Sequence, residues 1–137
     1  VSTQPLQQVV QEDANPAATG VTNSTVASKA PFAGTVSAVT YTPLSAVTGA
    51  NTDTRKLELI NRGQAGAGTT VIASIQFDSG VNAAAMDEKA LTLSATAANL
   101  VVVAGDILEW KSSAVGTGLA DPGGLFNVTF TRGDVSA

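Results

Sequence analysis

From residue 34 onward, apolar and polar residues alternate with a period of two, and turn-forming residues break the alternation roughly every ten positions. Few architectures tolerate such a pattern. A strand sends successive side chains to opposite faces, so each stretch can bury one face and hydrate the other. In "TVSAVTYT" (35–42) Val39 and Tyr41 share a face, and Pro43 ends the run. "RKLELIN" (55–61) sets Leu57 and Leu59 against Lys56 and Glu58. "TTVIASIQF" (69–77) aligns Val71, Ala73, Ile75 and Phe77 opposite Thr70, Ile72, Ser74 and Gln76. "ALTLS" (90–94), "DILEWK" (106–111) and "LFNVTFT" (125–131) alternate likewise, with Leu91, Leu93, Leu108, Trp110, Phe126, Val128 and Phe130 inward. "NLVVV" (99–103) is apolar on both faces and reads as a covered strand. Seven short strands of this kind predict an all-β fold, an antiparallel β-sandwich (jelly-roll-like) or small barrel.

Two segments lie outside the alternation. "VNAAAMDEKA" (81–90) is rich in helix formers and predicts a helical turn or an ordered loop. "AVGTGLADPGG" (114–124) predicts a long loop with a tight turn at Asp-Pro-Gly-Gly. Residues 1–33 differ more broadly, being rich in Gln and Thr, with Pro5, Pro16 and Pro31. The expected organisation is therefore an N-terminal arm over 1–33, extended or partly helical, and a β-sandwich domain over 34–137. Leu6, Val9 and Val10 fall at helical spacing after Pro5, which a first helical turn accepts.

The glycine-rich "NRGQAGAGTTVIASI" (61–75) raises a nucleotide loop as a possibility to be tested. A phosphate-binding loop joins a strand to a helix and carries Lys after its last Gly. Here Thr69 stands in that place and the following residues alternate as a strand. The loop is a hairpin connection.

What the chain lacks narrows its chemistry. It has no Cys and no His, which excludes disulfides, thiolate nucleophiles, cysteine zinc sites and histidine general bases. The acidic residues Asp78, Asp87, Glu88, Asp106, Glu109 and Asp121 sit at turns or on opposite strand faces, without calcium-loop spacing. Carboxylates at turns serve chiefly to cap backbone N–H groups. The expectation is a non-enzyme with no catalytic, cofactor-binding or metal-ligating residues. A hydrolase using Asp106 or Glu109 is the minor alternative.

Seven basic residues against eleven acidic ones give a net charge of −4, which disfavours nucleic acid as a partner. Arg55, Lys56 and Arg62 are the nearest approach to a basic cluster. "VSTQPLQQVV" lacks a basic start and an apolar run, and "LVVVAG" is far shorter than the roughly 20 residues that span a bilayer. No membrane role is expected. One Trp and one Tyr supply little aromatic surface for stacking on sugars, and Trp110 shares a face with Leu108. "RGD" (132–134) reads as a chance tripeptide near the chain end.

Four stretches carry a resemblance: "TGANTDTR" (48–55), "NRGQAGAGT" (61–69), "AGDILEW" (104–110) and "VGTGLADPGG" (115–124). Together with "FNVTFTRG" they resemble capsid decoration proteins among the small head proteins of tailed bacteriophages, especially phages of actinobacteria. The match spans about residues 34–133. The resemblance implies a structural virion protein on the outer surface of the phage head, assembled in the host cytoplasm and stabilising the shell. It also implies a homotrimer whose N-terminal arm engages the major capsid protein. Carried onto this chain, Leu6, Val9, Val10 and Phe32 are the apolar anchors of that arm. A phage tail or fibre component, or a carbohydrate-binding β-sandwich module, is the alternative reading.

Overall fold

The computed structural model describes residues 6–132. They form an all-β sandwich of two antiparallel sheets. Ten strands run in chain order: β1 (Gln7–Ala14), β2 (Asn23–Lys29), β3 (Gly34–Pro43), β4 (Thr54–Gly63), β5 (Thr70–Gln76), β6 (Lys89–Ala90), β7 (Thr92–Leu93), β8 (Val101–Val102), β9 (Ile107–Val115) and β10 (Gly124–Arg132). A short 3-10 turn at Ala97–Leu100 separates β7 from β8. The first sheet has the order β1-β10-β3-β6, with β8 also on β3; the second has β2-β9-β4-β5-β7. Strands adjacent in sequence thus alternate between sheets at the N-terminal end. With β6–β8 counted as one broken strand, this is the connectivity of a jelly roll.

The alternation is realised face by face. Val36, Val39, Tyr41, Phe126, Val128 and Phe130 point from the first sheet onto Leu57, Leu59, Ile72, Phe77, Leu108 and Trp110 of the second. Burying each large apolar side chain contributes roughly 1.5–3 kcal/mol. Trp110 stacks on Phe126 with ring centroids 4.3 Å apart and planes at 1°. Glu109 and Lys111 face outward as the alternation requires. The glycine-rich stretch is the β4–β5 hairpin, where Gly63 takes a φ of 67° that side chains disfavour.

Three expectations are corrected. The first is the separate arm over 1–33. Residues 7–14 pair along their whole length with β10, and residues 23–29 pair with β9. The sandwich therefore does not begin at residue 34: its two N-terminal edge strands come from the segment expected to be an arm. Val9 and Val10 are β-branched and suit a strand better than a helix, and β10 offers them a ladder to complete. Residues 1–5, including Pro5, lie outside the described residues.

The second is "NLVVV", which is no covered strand. Only Val101 and Val102 pair, and Val101 and Val103 are exposed while Val102 is buried. The third is Ile72, expected on the outer face with Ser74. A bulge against Leu59 and Ile60 inserts one extra residue, so Ile72 and Ala73 are both buried. Of residues 81–90, expected as a helical turn or an ordered loop, 81–88 form an ordered loop held by the paired N–H and C=O groups of Val47 and Ala83, and Lys89–Ala90 form β6.

Candidate functional site

The polar groups that could carry chemistry gather at one end of the sandwich. Arg55 stands two and four residues before Leu57 and Leu59, on the same inward face of β4. Arg55 as a whole is 1% exposed. Nε donates to the Leu119 carbonyl at 2.8 Å, Nη1 to the Val21 carbonyl at 2.7 Å and Nη2 to the Ala18 carbonyl at 3.2 Å. Nη2 also reaches the Leu119 carbonyl. One side chain therefore fastens the β1–β2 connection and the β9–β10 connection to β4.

Asp121 completes this cluster from the Asp-Pro-Gly-Gly turn. It accepts from the Tyr41 hydroxyl at 2.7 Å, the Ser112 hydroxyl at 2.6 Å and the Gly123 N–H at 2.9 Å. Gly123 sits at a φ of 77°, which lets the turn bring that N–H onto the carboxylate. Ser112 bridges the charges, its oxygens lying 3.4 Å from Arg55 Nη1. Burial first, then the hydrogen bond to Asp121, pushes the Tyr41 phenol far above its usual range. Burial pulls Arg55 down from its ordinary value, opposed by the Asp121 charge. A buried charge is tolerable only when its hydrogen bonds are made, and both are supplied here. The cluster is a clamp closed to solvent, with no exposed nucleophile.

The other acidic residues behave as turn and face residues. Asp106 Oδ2 accepts the Val103 N–H at 3.0 Å and the Asn61 amide at 3.1 Å. Asp53 accepts the Thr117 N–H at 2.8 Å. Glu109 lies on the outer face of the second sheet, where Oε1 accepts from Arg62 Nε at 2.9 Å and Nη2 at 2.6 Å. Partial burial opposes its charge, but hydrogen bonds from Ser24 and Arg62 outweigh it and hold the carboxyl below the usual carboxylate range. Asp106 is thus spent on a loop and Glu109 on an ion pair. Among the described residues no group of three or more acidic side chains has a metal-holding arrangement.

Basic residues disperse in the same way. Arg55 is buried, Arg62 is paired with Glu109 and Lys56 lies 3.5 Å from Glu58, so they form no open basic patch. Tyr41 and Trp110 are 1% and 2% exposed, which removes the aromatic platform a glycan site would use. An open groove of about 550 Å³ is lined by Thr69, Thr70, Ser74, Thr92, Ser94 and Asn99 among others, with no charged or aromatic residue. Arg132 closes β10, while Gly133 and Asp134 of the "RGD" tripeptide lie outside the described residues.

Exposed large apolar side chains lie elsewhere, in two sets: Leu44, Met86, Val101 and Val103 on loops and a short strand, and four more along the N-terminal segment. Leu6 and Val9 are 50% and 52% exposed at β1, and Val26 is 72% exposed on β2. Val21, in the connection between them, is also exposed. Of the four expected anchors, only Leu6 and Val9 face outward. Val10, opposite Val128 on β1, and Phe32, in the β2–β3 connection, both pack on the chain's own core. Arg55 is the residue the sequence reading missed. Its signal was present: it shares the alternation phase of Leu57 and Leu59. No family model matches this chain, and no curated protein or solved structure is found similar to it.

Proposed function

We propose that the protein is a non-catalytic structural protein of a tailed-phage head, a decoration protein that binds the outside of a shell built from major capsid protein. The observation that carries this reading is a division of labour within the molecule. Its strongest polar groups, Arg55, Asp121, Tyr41 and Ser112, are consumed in a closed clamp, whereas Leu6, Val9, Val21 and Val26 stand exposed along the N-terminal segment that carries two edge strands. Polar chemistry thus holds the fold and apolar surface is left over for adhesion. The motif resemblance between residues 48 and 124 supplies the phage assignment. Binding to the finished shell lowers its free energy relative to the bare shell, and several contacts per oligomer add avidity.

The test is electron microscopy of undecorated heads mixed with the purified protein. Added density at fixed lattice positions supports the reading, and the symmetry of those positions reports whether the trimer implied by the resemblance forms on the shell. Heads that stay bare at saturating protein overturn it. Truncation is unsuited to this test, because residues 7–14 and 23–29 are strands of the fold.

A further inference from the structure

We infer that β1 is a self-complementary edge through which two copies of this chain pair about a two-fold axis. Free sheet edges invite unwanted pairing, and β proteins blunt them with short strands, bulges or lysines. Three of the four edges here are blunted. β6, β7 and β8 are two residues each, while β2 carries a bulge at Ala27 and ends on Lys29. β1 has no shortening, bulge or Lys, and its two charges, Glu12 and Asp13, sit near its C-terminal end. It runs eight residues in unbroken register with β10 and contains no Lys, Arg or Pro.

The hydrogen-bond phase fixes which groups are free. The Leu6 carbonyl accepts from the Arg132 N–H at 2.8 Å, so Leu6–Arg132 is a bonded pair of the ladder. Alternation then bonds the backbones of Gln8, Val10 and Glu12 to β10 and turns those of Gln7, Val9, Gln11 and Asp13 outward. Among the described residues nothing else bonds those outward groups.

The sequence of the strand chooses the occupant. Antiparallel pairing of "QQVVQED" with its own copy, centred on Val10, sets Gln7 opposite Asp13 and Gln8 opposite Glu12. Each carboxylate then meets a carboxamide, a donor for an acceptor. Val9 lies opposite Gln11, and Val10 meets its own copy. The outward backbone groups of Gln7, Val9, Gln11 and Asp13 all find partners in this register. Sliding by one residue would put outer faces against inner faces. Recentring on Val9 or Gln11 strips the carboxylates of their amides. An isologous contact of this kind closes on itself and makes a dimer in solution, in place of the homotrimer that the resemblance implies. The paired copies share one continuous first sheet, and β2, with Val26, stays uncovered.

The assay is light scattering with size-exclusion chromatography on the full chain over a hundredfold concentration range. It needs no shell, so it stands or falls apart from the virion reading. The expected species has twice the 13.7 kDa chain mass. Val9→Lys adds a gatekeeper charge on the outer face, and Gln11→Pro deletes one outward N–H without touching the β10 ladder. Each should weaken association at least tenfold, with circular dichroism and thermal melting retained. Register is read by a swap at one position: Gln8→Lys strengthens pairing by facing Glu12, and Gln8→Glu weakens it. A monomer throughout the range, a trimer, or a dimer indifferent to Val9→Lys and Gln11→Pro overturns the inference. Equal effects of Gln8→Lys and Gln8→Glu overturn the Val10-centred register.

Discussion

The clamp around Arg55 and the edge at β1 treat polar groups in opposite ways. At the clamp every donor of consequence is satisfied inside the chain, and water is excluded. At β1 half the backbone groups are left to solvent, and Leu6 and Val9 stand exposed beside them. The first region costs dearly if altered, because an unpaired buried group keeps its desolvation penalty. The second costs the fold almost nothing. That asymmetry separates what holds the sandwich together from what is free to bind something else.

The sharpest way to break this contrast is at Arg55. Replacing it with Met keeps much of the volume but leaves the Ala18, Val21 and Leu119 carbonyls without their donor and the Asp121 charge without its counterpart. The expected loss is about 3–5 kcal/mol, read as a fall in the urea midpoint at unchanged slope. A loss below 1 kcal/mol would show that the clamp is ornamental to stability.

Tyr41 comes next. Tyr41→Phe removes one of three donors to Asp121 and should cost about 1–3 kcal/mol. The chain has a single tyrosine, so its titration is legible. Its folded pKa lies far above the unfolded value near 10, which means the unfolded state loses the proton first. Stability is fully present below pH 10 and falls above it by about 1.4 kcal/mol per pH unit. Ultraviolet absorbance should show phenolate appearing only with unfolding, and Tyr41→Phe should lack this alkaline slope. A phenolate signal in the folded protein near pH 10 would contradict the burial argument.

A smaller effect belongs to the outer-face pair of Glu109 and Arg62. The Glu109 carboxyl is depressed, so its contribution is present above the ordinary carboxylate range and lost as pH falls through the folded value. The pair is partly solvated, with side chains 16% and 29% exposed, and is worth about 0.2–1 kcal/mol. Glu109→Gln should lower the urea midpoint slightly at pH 7, by an amount that shrinks as the pH falls through the folded value. A difference that does not shrink with falling pH would assign the loss to packing instead.

The least effect on folding is expected at the edge. Val9→Ser and Leu6→Ser should stay within about 0.5 kcal/mol of the parent, as exposed substitutions do, by thermal melting. A loss of 2 kcal/mol or more would mean these residues support the fold and are not left over for binding.

The alternation in 55–61, 106–111 and 125–131 decided its strands because their faces differ in polarity residue by residue. The hairpin at 61–70 was legible for a local reason as well, since glycines and the absent Lys act within the loop. Composition removed cysteine and histidine chemistry. Other features had no local signal. Whether residues 7–14 stood alone or joined a sheet depended on β10, which lies more than a hundred residues away. Ile72 turned inward because a bulge is a property of two paired strands. In "NLVVV" residues 100–103 are all apolar, yet the 3-10 turn takes in Asn99 and Leu100 and only Val101 and Val102 pair. The alternation put Arg55 on an inward face, and only the meeting of the Ala18, Val21 and Leu119 carbonyls there made that tolerable. Those carbonyls come from connections far apart in the chain, so their convergence belongs to the tertiary structure alone.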